Sequence, residues 1–225
     1  DVKLNHGGYD RWVVKLNNIG ETLWSKCLGG SGDDYSGLTI IQTKDGGYIT
    51  SGGSNSNDGD VKGNHSGGDI WVVKLYNNGT IQWQKCFGGS GIDGNSSILP
   101  TNDGGYIIAG SSDSKDGDVT GNHGGNDYWI IKIDSTGVIQ WQKSFGGTGD
   151  DIPSSIQQTN DGGYIVSGCS NSNDGDVKDN RGGYDRWIVK LDVSGNIKWQ
   201  KNLGGSKDDY GGRSIRQTID GGYIT

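Results

Sequence analysis

Methionine is absent from the 225 residues, and three cysteines, two prolines and two phenylalanines are nearly as scarce. Each scarcity excludes something. Lacking any Met, the sequence reads either as processed at its N-terminus or as a piece of something longer. Cys27, Cys86 and Cys169 show no CxxC pairing. They allow at most one internal disulfide, argue against a zinc site built of thiolates, and read as small buried side chains. Ala109 and Glu21 are the lone representatives of two strong helix formers, which disfavours a helical fold. No apolar run approaches the ~20 residues of a membrane span. Twenty basic residues against 27 acidic ones leave a net charge of −7. That balance argues against nucleic acid and membrane insertion, because nucleic acid and anionic lipid both reward clustered Lys and Arg.

What is abundant is glycine, 44 residues, together with eight Trp and ten Tyr. So many aromatics are foreign to a disordered chain. The glycine and aromatic residues recur in step. DVKLNHGGYDRWVVKL at Asp1 returns as DVKGNHSGGDIWVVKL at Asp60, DVTGNHGGNDYWIIKI at Asp118 and DVKDNRGGYDRWIVKL at Asp176, spacings of 59, 58 and 58. DGGYI keeps step through Tyr48, Tyr106, Tyr164 and Tyr223, and a G-x-I-x-W-x-K stretch lies between these markers. The third copy illustrates the strand reading. Ser154–Thr159 is a short strand, Asn160-Asp161-Gly162-Gly163 an Asp-Gly hairpin turn, Tyr164–Cys169 a second strand. After a long polar loop come Arg186–Leu191, a turn at 192–195, and Asn196–Leu203. Trp187, Val189 and Leu191 alternate with other residues, as in a half-buried strand.

Repeated units of ~40–60 residues with four antiparallel strands are the signature of β-propeller blades. The expectation is an all-β, four-bladed β-propeller of four-stranded blades, a single domain over 1–225. Its blades span about 37–87, 95–146 and 153–203, with 212–225 combined with 10–28. In that scheme the N-terminal strands (Arg11–Leu16, Thr22–Leu28) pair with the C-terminal ones (Arg213–Thr218, Tyr223–Thr225). The ring closes and its sheet edges are hidden. The rival reading is a window on a longer array of five to eight blades.

The L-D-x-x-G-x-I-x-W-x-K-x-x-G-G stretch resembles the Trp-docking motif of quinoprotein-type propellers. It is also similar to the Asp-box turn of sialidase propellers, without the Ser-x-Asp spacing. Over its whole length the chain resembles secreted bacterial repeat proteins with DGGYI…DGDV…DxWVVKLD…G-I-W…GG units. These are typical of Bacteroidetes surface and exported proteins that often end in a type IX secretion sorting domain, a tail not seen here. The resemblance implies a propeller fold and an extracellular or cell-surface location, and no particular activity.

The chemistry-bearing residues fall in the long loops. Asn5, His6, Tyr9, Asn64, His65, Asn122, His123, Asn180, Arg181 and Tyr184 are the candidate ligand contacts, and Tyr128 is read with the loop tyrosines. Identical loops around an axis do not bring their histidines to one metal, so a surface hydrogen-bonding role is expected for them. Asp58, Asp60, Asp116, Asp118, Asp174 and Asp176 form Asp-Gly-Asp runs. They read either as Ca2+ ligands, oxygens on a turn suiting a hard cation, or as side chains capping their own turns. The Trp residues read as sugar-stacking platforms or, preferably, as packing between blades. Asp33-Asp34, Asp150-Asp151 and Asp208-Asp209 evoke a glycosidase, but that chemistry needs carboxylates in unlike environments, and near-identical repeats supply like ones. The expected function is a non-catalytic extracellular binding or adhesion module for glycan or protein on a cell surface. The alternatives are a structural repeat of a surface layer, filament or larger secreted assembly, a calcium-stabilised lectin, and an enzyme built where symmetry fails, at Pro100, Ile92 or Arg181.

Overall fold

The computed structural model describes residues 5–35, 37, 39–210 and 214–225. Among them lie sixteen strands and no helix. The chain divides into two compact units, Asp1–Asn95 and Ser96–Thr225. In the first, β1 (Arg11–Leu16) and β2 (Thr22–Leu28) form a two-stranded sheet. β3 (Ile40–Gln42), β4 (Tyr48–Ser54), β5 (Asp69–Leu75) and β6 (Ile81–Phe87) form a four-stranded one in chain order. β7 (Asp93–Pro100) starts just before the second unit and is the edge of its first sheet, with β8 (Tyr106–Ser112), β9 (Asp127–Ile133) and β10 (Ile139–Phe145). A further sheet holds β11 (Asp151–Gln158), β12 (Tyr164–Ser170), β13 (Asp185–Leu191) and β14 (Ile197–Leu203). β15 (Arg216–Gln217) and β16 (Tyr223–Ile224) pair as a short two-stranded sheet. All the named pairings are antiparallel.

The four strands expected in the third copy are present. β11 begins three residues earlier than the sequence pattern indicated, because Asp151 and Ile152 already pair with Ser170 and Cys169. The C-terminal strands are shorter than expected, and Arg213 lies outside the described residues, as do Asp1–Leu4 of the first marker. Two readings need correction. β13 is not half-buried: Ile188, Val189, Lys190 and Leu191 are all buried, so both faces are covered. Alternation fails as a guide once each face of a sheet has a neighbour to pack on. The DGG turn also differs from a two-residue Asp-Gly hairpin, which needs positive φ at both central residues. Only the first glycine has it (Gly162, φ 80°). With Gly162 N–H donating to Thr159 O at 2.9 Å, this is the type I turn followed by a left-handed glycine.

The second glycine of that turn answers a different need. A Cβ on Gly163 would sit 2.2 Å from Leu191 O and 2.7 Å from Lys190 Nζ. Its absence lets a buried lysine reach the turn. Lys74, Lys132 and Lys190, each 3–4% exposed, ion-pair with Asp45, Asp103 and Asp161 in successive repeats.

Packing joins each sheet to the next inside each unit. In the second unit Tyr128, Ile130 and Phe145 share a core with Tyr164, Trp187 and Leu191. In the first, Val13 and Leu28 meet Trp71, Val73 and Leu75. The G-x-I-x-W tryptophans reach one repeat ahead. Trp24 lies edge-on to Tyr48, Trp141 to Tyr164 and Trp199 to Tyr223, with ring centroids 5.6–5.8 Å apart. A Cβ on Gly79 or Gly195 would come within 2.8 Å of Trp24 or Trp141. Trp71, Trp129 and Trp187 are fully buried. Packing is thus seen for Trp24, Trp71, Trp129, Trp141 and Trp187, whereas Trp12 and Trp199 are 46% and 40% exposed.

Candidate functional site

Within each unit the long loops and the sheet-to-sheet loops meet at one end of the strands, opposite the hairpin turns. Backbone N–H groups of the sheet-to-sheet loops donate to side chains of the following long loop. Ser31 N–H reaches Asp58 Oδ1 at 2.7 Å, Gly32 N–H Ser56 Oγ at 2.9 Å and Gly29 N–H Asp60 Oδ2 at 3.3 Å. The second unit repeats this with Thr148 to Asp174 (2.7 Å), Gly149 to Ser172 (2.9 Å) and Gly146 to Asp176 (3.4 Å). The Ser31 and Thr148 backbone donors hold the Asp58 and Asp174 carboxyls below their ordinary range. These four carboxylates thus tie two loops together. Asp116 and Asp118 occupy the matching places in the loop 113–126, where Asp116 O accepts Val119 N–H at 3.1 Å.

The candidate asparagines bond to the backbone of their own loops, Asn5 exposed and Asn64, Asn122 and Asn180 half-buried. Asn64 Nδ2 donates to Ser54 O, Asn122 Nδ2 to Ser112 O and Gly125 O, and Asn180 Nδ2 to Ser170 O and Gly183 O. Asn5 Nδ2 donates to Gly8 O. Each Oδ1 accepts from the backbone two residues on, at Gly7, Ser66, Gly124 and Gly182. Such Asx turns fix the loop.

The histidines each bond an aspartate in their own repeat, so none shares a centre with the others. His6, His65 and His123 Nδ1 lie 3.0, 2.8 and 2.6 Å from Asp10, Asp69 and Asp127 Oδ2. In the fourth copy Arg181 N–H donates to Asp185 Oδ2 at 2.9 Å, and its guanidinium to Gly204 O. Oδ1 of Asp10, Asp69, Asp127 and Asp185 is buried without a hydrogen-bond partner. Burial pushes the Asp69 and Asp127 carboxyls up, against the His65 and His123 hydrogen bonds that lower them. A second row of acids sits beside the first. Asp34, Asp93, Asp151 and Asp209 Oδ2 accept Gly30, Gly89, Gly147 and Gly205 N–H at 2.6–2.8 Å. Sequence reasoning passed over Asp10 and its counterparts, although an Asp two residues ahead of every third-strand Trp was there to be seen.

Tyrosines pair on the same loops in the first and fourth repeats, with Tyr184 alone half-buried. Tyr9 and Tyr35 are 69% and 48% exposed, with centroids 5.9 Å apart. Tyr184 stacks on Tyr210 at 5.2 Å. Asp33 accepts Tyr9 N–H and Tyr35 O–H, while Asp208 accepts Tyr184 N–H and Asp150 accepts Tyr184 O–H. Burial and the Asp150 charge push the Tyr184 phenol up to about 12. Tyr128 does not belong with them. It lies on β9, fully buried, and donates its O–H to Trp187 O at 3.1 Å. Its place is one residue before the Trp, where Arg11 covers the Trp71 ring at 4.5 Å, and not three residues before as for Tyr9 and Tyr184.

The adjacent acids Asp150 and Asp151 do have unlike environments. Backbone and side-chain donors of Asn126 lower Asp150, while burial raises Asp151. Asp151 is nevertheless 0% exposed and so is out of reach of a substrate. Among the described residues the His, Cys, Asp and Glu side chains converge as a threesome at His6, Asp10 and Cys27. No model of a protein family matches the chain, and no curated protein matches it either.

Proposed function

We propose that this chain is a non-catalytic binding module of the cell exterior, taking glycans, or glycan-bearing proteins, on its loop end. The observation that carries the reading is the pair of tyrosine couples, one in each unit, with Tyr9, Tyr35 and Tyr210 exposed and Tyr184 half-buried, each couple beside carboxylates. A flat exposed ring stacks on the C–H face of a sugar, and a neighbouring carboxylate accepts its hydroxyls; Tyr combines an apolar body with a polar tip. Two such couples on one chain gain by avidity even where each is weak.

The architecture we infer for it is a four-bladed β-propeller, with the two-stranded sheets β1–β2 and β15–β16 as halves of one blade. Repeat-to-repeat docking of Trp24, Trp141 and Trp199 supports this. So does the side of β1 that has no strand partner among the described residues, since its counterparts β5 and β13 pair on both sides. A groove of about 340 Å³ lined by Arg11, Trp12, Val13, Val14, Ile40 and Thr50 accompanies it.

A glycan array followed by calorimetry tests the binding. Tyr9→Ala and Tyr184→Ala should each weaken binding of the best glycan by roughly tenfold, the scale of an aromatic contact worth about 1–1.5 kcal/mol. An array with no hits, or affinity untouched by both substitutions, would sink the reading. Self-association without any glycan would replace it with that of a structural repeat.

A further inference from the structure

We propose that His6, Asp10 and Cys27 form a site for a thiol-preferring divalent cation, with Zn2+ as its natural probe. Imidazole nitrogen, carboxylate oxygen and thiolate sulfur are the ligand set of zinc. Here Asp10 Oδ2 lies 3.0 Å from His6 Nδ1 and 3.3 Å from Cys27 Sγ, and the three donor atoms all fall within 4.8 Å of one another. Ligands on a tetrahedral zinc, at ~2.0–2.3 Å from the metal, stand about 3.3–3.8 Å apart, so only small side-chain adjustments are needed. Asp60, whose Oδ2 accepts Gly29 N–H, adds a carboxylate close enough to act electrostatically on the Cys27 thiol. Its counterpart Asp176 is 4.0 Å from His123 Nε2 in the third repeat.

The repeats themselves supply the control. All four keep the aspartate, at 10, 69, 127 and 185, but the cysteine position reads Cys27, Cys86, Ser144 and Asn202, and the histidine position His6, His65, His123 and Arg181. The same strands form with Ser144, and with Arg181 and Asn202, so the fold does not require His and Cys together. The aspartate is a buried acceptor whose Oδ1 has no partner in any repeat, and a buried anion needs compensation. In the fourth repeat Arg181 brings a fixed positive charge to the carboxylate's own loop. In the first, a metal ion supplies it, displacing the thiol proton as it binds.

Co2+ titration reads the site directly, because a Co2+–thiolate bond absorbs in the near ultraviolet. The chain used is Cys86→Ser/Cys169→Ser, both positions carrying serine naturally in a sister repeat (Ser144 and Ser111). It should take up one Co2+ with that band, and Zn2+ should displace it and raise the melting temperature. Adding Cys27→Ser should abolish the band, and His6→Ala should weaken Zn2+ at least tenfold. Circular dichroism of each variant reports that it folds. A folded double variant with no band, or a band that survives Cys27→Ser, would overturn the proposal.

Discussion

The lysine at the foot of each hairpin makes a quantitative prediction. Lys190 is 4% exposed; its ammonium donates to both Asp161 oxygens at 3.0 Å and to Leu191 O at 2.9 Å. Asp161→Asn keeps the shape of the turn and removes the charge, leaving a buried cation with neutral acceptors alone. Removing one partner of a buried pair costs ~3–5 kcal/mol. Asp161 is 46% exposed, so water screens part of the interaction, and the expected loss is about 2–3 kcal/mol. With ~2–4 °C of melting temperature per kcal/mol at this chain length, calorimetry at pH 7 should show a drop of roughly 4–12 °C. In a Lys190→Met background the same substitution should cost less than about 0.5 kcal/mol, since no cation is left to orphan. Additive losses would refute the reasoning. The pH dependence carries a sign as well. Hydrogen bonds from Thr159 and then Lys190 hold the Asp161 carboxyl well below the usual range. For Asp103, burial pushes up, but Thr101 and Lys132 prevail and bring it to about 2. A carboxyl depressed in the folded state gives stability that is fully present above the unfolded value near ~4 and is lost as pH falls through the folded one. The gap between wild type and Asp161→Asn should therefore narrow on acidification below about pH 4.

Two further substitutions probe the contacts between sheets. Trp187→Ala empties a fully buried site in the second unit's core and should cost ~3–5 kcal/mol in a denaturant melt; a loss under 1 kcal/mol would mean the ring is not the wedge described. Tyr128→Phe keeps the ring and deletes the bond to Trp187 O. It should cost about 1 kcal/mol, and an unchanged midpoint would show that water or another donor takes the hydroxyl's place.

The tetrad of repeats and the all-strand content were legible in the residues, because a 58–59-residue period and Gly-marked turns report local chemistry. Glycine at 20, 79, 137 and 195 needs only a positive φ to announce a turn. Pairing between distant residues left no such trace. Tyr128 looked like a loop residue until β9 placed it against Trp187, and nothing near Asp58 in the chain announced the Ser31 N–H, 27 residues away, that it accepts. Cys27 and Asp10 are 17 residues apart in the chain and read as unrelated. Periodicity determines which elements exist, because each depends on its own few residues. Which polar groups finish satisfied, exposed or gathered round a common point depends on how strands are brought side by side, and only the tertiary structure decided that.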